Sequence, residues 1–441
     1  MQDLQQRLAA LGIAIPEIML PKSEVDLQKW AVIACDQFTQ DRAYWAGIEG
    51  FVGEAPSTLN LIFPEIYIGD PGRENRILNI HQAMNTYLSN GIFAAPRQGM
   101  VYVERATSYR RSRRGLVVAA DLEQYDWKGD VRRLIRTSEG TVAERLPPRM
   151  AVRRGAALEC SHVLLLIEDE DDVLLPSLGA RARGDSPVYH TPLAGGMISG
   201  WFLNRETDWA YLAERLEVLA QKALGRYGDP LFLYAVGDGN HSLASAKAVW
   251  EEYKILHAGE EGLMDHPSRY ALVEIENLYD PGIGFEPIHR LLLGADTAEV
   301  LTLLSKLPGF TCRAVQGVEE LGVLVGDERA AKTRLGLIGD REYMLIESDV
   351  QGLATDHLQP LLDGFISGKG RDYGIDYIHG YDALFGRTYD SENPGVGILL
   401  PPVKKGGLFK TVAAHGPLPR KSFSMGEAQE KRFYLECRKL F

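Results

Sequence analysis

Long apolar runs are missing from this chain. None approaches the roughly 18 consecutive apolar residues of a membrane-spanning helix, so no membrane span is expected. Residues 1–20 interrupt their apolar positions with Asp, Gln, Arg, Pro and Glu, a pattern unlike a secretory signal. Cysteine is scarce too. Cys35, Cys160, Cys312 and Cys437 are the whole set; none sits in a Cys-x-x-Cys pair, and no histidine cluster joins them at zinc spacing. Dispersed thiols of this kind predict reduced cysteines and a cytoplasmic protein. Positive charge is in deficit. Lys and Arg number 48 against 60 Asp and Glu, a net charge of -12. That argues against general nucleic-acid binding, which needs a basic field, but leaves room for a local basic pocket holding a small phosphate ligand. Gly-x-x-x-x-Gly-Lys-Ser/Thr is absent and no Gly-x-Ser-x-Gly elbow stands out, which removes the familiar nucleotide loop and the hydrolase elbow. Internal repeats and low-complexity segments are absent as well.

What remains is an ordinary globular composition, 441 residues with 45% hydrophobic and 24% charged, enough for two to three domains. Helical spacing appears at residues 2–11, 76–88, 207–224 and 298–304, and a helix is expected to start near Thr39 or Gln40. Buried strands are expected at 31–35 and 163–167. Residues 100–104 and 115–120 read as paired strands joined by the basic link Tyr109-Arg-Arg-Ser-Arg-Arg114. Residues 269–277 and 343–347 are also strand-like. Strands and helices interleave without a regular βαβ period, so the expected class is α+β, or mixed α/β, rather than a doubly wound sheet. The expected division is a main domain over residues 1–290, a smaller α/β subdomain over 291–395, and a segment over 396–441 that packs back on the main domain.

The stretch with the most chemistry is Asp238-Gly239-Asn240-His241-Ser242. An apolar run at 231–236 precedes it and an amphipathic segment at 242–254 follows, in which Leu243, Ala246, Trp250 and Tyr253 share one face. The spacing predicts strand, tight glycine turn, helix. A helix start offers N–H groups without intrahelical partners and a dipole that favours anions. Asp238 is suited to positioning a metal ion or taking a proton, His241 to touching phosphate or to acid–base work. An ordinary helix cap is the plain alternative, with Asp or Asn capping and Ser242 filling the first turn.

A second constellation runs from Arg136 to Arg149. Glu139, Gly140 and Thr141 lie close to Arg145 and Arg149, and guanidinium forks pair bidentately with phosphate or carboxylate. A solvated helix and rigid loop would read the same way. Asp36, at the end of the 31–35 run, is placed for catalysis or for a helix cap. Gly195-Gly196-Met197 reads as a loop over a ligand or as a plain turn. His289-Arg290 and Arg420-Lys421-Ser422 are weaker phosphate candidates or surface loops.

Taken as a set, these pieces resemble the bacterial and archaeal domain-of-unknown-function family 1015. The resemblance rests on Trp30-Ala-Val-Ile-Ala-Cys-Asp-Gln-Phe38, Ala55-Pro-Ser-Thr58, Glu139-Gly-Thr141 with Arg145, Pro147, Pro148 and Arg149, Asp238-Gly-Asn-His241, Pro287-Ile-His-Arg290 and Leu418-Pro-Arg-Lys-Ser422-Phe-Ser-Met425. Family members commonly carry Asp-Gly-His-His-Arg where this chain has Asp238 to Ser242. That motif in turn looks like the one of the free serine kinases, similar in fold to ParB partition proteins and sulfiredoxin.

The resemblance implies a ParB/sulfiredoxin-like nucleotide-binding core. It also implies a bound nucleotide (ATP or ADP) with Mg, and phosphoryl transfer to a small hydroxyl metabolite such as serine. Asp238, His241 and Asp36 would then be catalytic. Gly239, Asn240, Ser242, Glu139, Thr141, Arg145 and Arg149 would bind the nucleotide and its phosphates, with Arg420 and Lys421 in reserve. Asp238, Gly239 and His241 match the motif, whereas Asn240 stands for its first His and Ser242 for its Arg. Either Arg145 or Arg149 supplies the missing cation, or the activity differs from kinase chemistry. A nucleotide- or metabolite-sensing protein without turnover and a phosphohydrolase are the other two readings.

Overall fold

Residues 100–106 carry large apolar side chains on both sides of an extended chain, and such a strand has to be covered on both faces. In the computed structural model, which describes residues 2–109, 112–128, 132–193, 195–339, 342–370, 372–389 and 395–441, they form Met100–Ala106, paired antiparallel with Arg113–Asp121. Arg110 and Arg111 of the basic link lie outside the described residues.

These two strands are central to a mixed sheet of ten strands among the described residues. From one edge the order is Tyr189–Leu193, Gly196–Leu203, Met100–Ala106, Arg113–Asp121, Tyr270–Asn277, Leu164–Ile167, Tyr234–Asp238, Ile135–Thr137 and Tyr125–Asp126. Ile13–Ala14 pairs beside Arg113–Asp121. The mixed α/β class is thus what the chain adopts. Alternation sorts the strand residues between two cores. Tyr102, Leu116, Val118, Val273, Leu165 and Val236 face one layer, which contains the helices Gln2–Ala10, Leu174–Ala182, Glu206–Tyr227 and Asn240–Leu256. Val101, Val103, Val117 and Leu272 face the other, built on Trp30, Trp45, Met84, Tyr434 and Leu435.

Three arginines and three glutamates interrupt that second face. Glu276 accepts from Arg113 at 2.6 and 2.7 Å and contacts Arg105; Glu274 contacts Arg105 at 3.1 Å and Arg432; Glu436 accepts from Arg432 at 2.7 Å. All six are 6% exposed or less, a burial tolerable only because the charges pair.

The run 31–35, expected as a strand, is not part of the sheet. It is buried but makes a single bridge, Ile33 to Phe433, and exchanges Ala34 N–H to Arg432 O and Tyr434 N–H to Val32 O, each at 2.9 Å. A five-residue apolar run reads alike as strand or buried coil, and its partner here lies some four hundred residues along the chain. Of Gly195 and Gly196, read as a ligand loop or a turn, Gly195 lies in the turn between Tyr189–Leu193 and Gly196–Leu203, and Gly196 opens the second strand opposite Leu193.

By internal contact the chain divides into two units. The ten-stranded sheet belongs to residues 1–283, 412–417 and 428–441. Residues 284–411 and 418–427 form the second unit. Its antiparallel sheet runs Thr311–Ala314, Glu342–Ser348, Thr333–Gly339, Gly395–Leu399, Phe285–Leu293 and Gly374–His379, with Phe423–Met425 also on Phe285–Leu293. Thr297–Leu304 and Ala354–Ser367 pack in one of its cores, Val318–Val325 and Tyr381–Thr388 in the other. Among the described residues no helix is long and apolar enough to cross a membrane.

Candidate active site

The strand–turn–helix expected at Asp238 forms as Tyr234–Asp238, Gly239, then Asn240–Leu256. Gly239 has φ +75°, a left-handed conformation that costs other residues free energy, and a Cβ there would sit 3.0 Å from the Val163 Cα. The helix is fixed by Leu243, Ala246 and Trp250, all buried, at roughly 2–3 kcal/mol each for the large side chains. Trp250 and Lys254 both donate to Glu123 at 2.6 Å. No side chain caps the helix start, and Leu243 N–H closes its first turn on the Gly239 carbonyl. Tyr234–Asp238 lies parallel to Ile135–Thr137 with Val236 opposite Thr137. Two parallel strands therefore end together at this turn, the side of a sheet where α/β proteins bind ligands.

Asp238 accepts Gly239 N–H at 2.9 Å and pairs with the Lys431 ammonium at 3.0 Å. Lys431 is 6% exposed, so the pair is largely shielded from water. Asp36 is the second carboxylate: one oxygen accepts from Gln37 at 2.9 Å and the other lies 3.4 Å from Nε2 of buried His162. Burial would raise the Asp36 pKa, but the His162 charge and hydrogen bond, with Gln37 and Lys431, outweigh it and hold the carboxylate far below its usual range. Burial would lower His162, and Asp36, helped by Asp238 and Glu65, raises it instead. Nδ1 of His162 is 2.7 Å from the Tyr434 hydroxyl, which also accepts Cys35 N–H at 3.2 Å. The Ser242 hydroxyl is 3.3 Å from His162 Nε2.

Asn240 and His241 turn the other way, toward the loop at residues 137–142. The Thr137 hydroxyl is within bonding reach of the Glu139 carbonyl, at 2.7 Å, and of Asn240 Oδ1. His241 Nε2 accepts Val142 N–H at 3.2 Å, and its carbonyl accepts from Ser245 at 2.7 Å. In this loop the hydroxyls of Ser138 and Thr141 are buried without a protein partner among the described residues. Arg149 pairs with Glu65 and donates to the Arg145 carbonyl, while the Arg145 residue is exposed. Glu65 N–H in turn donates to the Cys35 carbonyl at 2.8 Å, which ties this ion pair to the Asp36 segment.

Arg420 and Lys421 belong to the second unit. Arg420 is exposed, 3.9 Å from Asp363 and over the Tyr377 ring; Lys421 has φ +58° and its carbonyl accepts from Arg290 at 3.0 Å. His289 and Arg290 are buried in that same unit, His289 Nδ1 accepting Leu400 N–H at 3.1 Å and Arg290 donating to Gln359 at 2.8 Å. The four cysteines are all thiols, with the sulfurs of Cys160 and Cys437 facing each other at 2.8 Å across an antiparallel pair.

Sequence reasoning missed His162, Lys431 and Tyr434. The available signals were a Ser-His pair just before an apolar strand and a Lys-Arg pair among glutamates and aromatics at 430–436.

Among solved structures, the chain is similar to a conserved hypothetical protein from Pyrococcus furiosus at 14% identity and TM-score 0.36, covering 74% of this chain and 97% of that one. A free serine kinase in complex with AMP shares 14% identity at TM-score 0.38, with 74% and 92% covered. SbnI with a C-terminal truncation, from Staphylococcus aureus, shares 11% at TM-score 0.37, with 72% and 85% covered. No curated protein matches the chain. A family profile described as "Protein of unknown function (DUF1015)" does match, over residues 17–364, and the chain belongs to that family.

Proposed function

We propose that the Asp238 turn binds a nucleoside triphosphate and that the protein transfers its terminal phosphoryl group to a small hydroxyl compound. The observation that carries this reading is the Lys431 ammonium at 3.0 Å from Asp238, beside an uncapped helix start. Ser242 stands where the serine-kinase-like motif has an arginine, and Lys431 restores a cation to the same turn from the C-terminal segment. Phosphoryl transfer asks a protein mainly for positioning and charge stabilisation. Helix N–H groups, Lys431 and the hydroxyls of Ser138 and Thr141 supply donors of the required kind. Asn240 and His241 hold the 137–142 loop against the helix start, so their role is to position that loop.

Asp36 is the proton acceptor. Its ionised state, enforced by His162, makes it a weak base, which suffices because a loose transition state releases the hydroxyl proton late. Among the described residues no group of three or more His, Cys, Asp or Glu gathers as a metal cage. Magnesium does not need one, since it binds through one or two carboxylates together with phosphate oxygens and water. Asp238 would be the carboxylate that holds it, and the ion would neutralise phosphate charge.

A Ser242-based phosphohydrolase is disfavoured by geometry. Ser242 and Asp36 approach the same His162 nitrogen, whereas a relay places nucleophile and carboxylate on opposite nitrogens. The test is calorimetric titration with ATP and ADP on the wild type, Asp238→Ala and His241→Ala, with mass spectrometry for a phosphorylated acceptor. Binding is expected in the wild type and lost in Asp238→Ala. Binding without any phosphorylated product would assign a sensor, and unchanged binding in both variants would place the nucleotide elsewhere.

A further inference from the structure

The group around His162 opens on a cavity of about 120 Å³ within the first unit. Glu65, Arg149, Arg153, Glu159, His162 and Ser242 are among its polar lining, and Leu61, Phe63, Met84, Val152, Leu158 and Leu440 among its apolar walls. At roughly 10–15 Å³ for each water-sized occupant, this is room for about eight to twelve non-hydrogen atoms.

The charges at the wall are paired with one guanidinium in excess, because Arg153 and Arg438 share Glu159. Glu65 pairs with Arg149, Arg153 with Glu159 at 2.5 Å, and His162 with Asp36. Glu159 also takes Arg438 at 2.5 Å. A ligand bringing its own ammonium would meet that surplus of positive charge, or break one of these pairs, or lie unpaired against apolar walls, and each is costly. A hydroxyl group meets none of these costs; it can hydrogen-bond beside Ser242 and His162 while an apolar body fills the remainder.

We infer that this cavity takes an alcohol with an apolar body and no ammonium group, and that this alcohol, not a zwitterion such as serine, is the phosphoryl acceptor. The assignment rests on the reading of the Asp238 turn as a nucleotide site. In the transfer, the alcohol oxygen forms a bond to the terminal phosphorus of the nucleoside triphosphate. The bond from that phosphorus to its bridging oxygen breaks, and the nucleoside diphosphate leaves with the electron pair. The hydroxyl proton passes to Asp36, and a phosphate monoester is the product.

The test separates the two claims. ADP is titrated calorimetrically, and 2-phenylethanol, 4-methyl-1-pentanol, L-serine and glycerol are titrated by ligand-observed NMR, on the wild type, Val152→Phe and Val152→Ala. Val152 lies on the cavity wall and outside the nucleotide turn. The expected result is that the two apolar alcohols bind the wild type and serine and glycerol do not. Val152→Phe should weaken 2-phenylethanol at least tenfold with ADP affinity within twofold of wild type. Val152→Ala, which enlarges the cavity, should keep or improve binding of 2-phenylethanol and so guards against a folding defect in the larger variant. ADP binding without alcohol binding, or serine binding more tightly than the alcohols, overturns the acceptor assignment while the nucleotide site stands. Alcohol binding that both valine variants leave unchanged also overturns it. Alcohol binding lost in Val152→Phe but with no nucleotide binding supports the cavity's ligand class and overturns the phosphoryl-transfer reading.

Discussion

Replacing Lys431 by Met removes one charge and keeps most of the side-chain volume, so its effect isolates the ion pair with Asp238. Two unit charges 3.0 Å apart attract by about 5–6 kcal/mol at an effective dielectric of roughly 20. The net cost of deleting one partner of a buried pair is about 3–5 kcal/mol, because the other charge stays behind unpaired. Asp238 keeps 17% of its side-chain surface in water and recovers part of that loss, so we expect about 2–3 kcal/mol. All six tryptophans, Trp30, Trp45, Trp127, Trp201, Trp209 and Trp250, lie in the first unit, so tryptophan fluorescence in a urea titration reads that unit alone. Lys431→Met should lower its midpoint with an unchanged slope. The double variant Asp238→Asn/Lys431→Met should regain much of the loss, since no charge is then stranded. A charge-assisted contact to phosphate is worth about 1.5–3 kcal/mol, so ADP affinity should fall roughly 10- to 100-fold. A stability loss below about 0.5 kcal/mol together with unchanged ADP affinity would refute both the pairing energy and the role given to Lys431.

The Asp36–His162 pair should shape the pH dependence of the first unit. Depression of the Asp36 pKa contributes stability that is present above the ordinary value of 3.8 and lost as pH falls through the lowered folded value. Elevation of His162 contributes stability that is complete below 6.5 and lost as pH rises through the raised folded value. Urea midpoints across this range should show an alkaline decline that His162→Gln removes; an identical decline in the variant would assign it to another group. Gly115→Ala should destabilise by about 3 kcal/mol or more, because its Cβ would stand 1.8 Å from Glu274 Oε1, a carboxylate locked between Arg105 and Arg432. Gly225→Ala, on the helix Glu206–Tyr227 with nothing within 4 Å of its Cβ, should instead stabilise by up to about 1 kcal/mol, and equal thermal shifts for the two would show that the crowding at Gly115 is relieved.

The elements legible in the sequence were those whose pattern is local. The helix expected at 76–88 is Arg73–Ser89, that at 207–224 is Glu206–Tyr227, and the strand at 163–167 is Leu164–Ile167, each declared by its own periodicity. The Asp238 turn was legible for the same reason, since its strand, glycine and helix are contiguous. The run 31–35 was not, because an apolar stretch shows that it is buried and not what it pairs with.

What the sequence hid at the site is the contribution of chain closure. Asp36 and His162 are more than a hundred residues apart, and Lys431 and Tyr434 reach them from near the C-terminus. Residues 432–434 run beside 32–34, and Cys437 exchanges backbone hydrogen bonds with Met19 at 2.7 and 3.0 Å. The Arg432 guanidinium is buried between Glu274 of the sheet and Glu436 of its own segment. This network looks extravagant as a source of stability, because buried ion pairs gain little net free energy over apolar packing. Its geometry gives it another consequence. Arg432 immediately follows Lys431 and is two residues from Tyr434, so docking Arg432 sets the position of the ammonium against Asp238 and of the hydroxyl against His162. A helix-borne arginine after the Asp-Gly-x-His turn would be positioned by the helix itself. With Ser242 there instead, the proposed phosphate cation is Lys431, and its segment is held by the paired, directional contacts of Arg432 with Glu274 and Glu436.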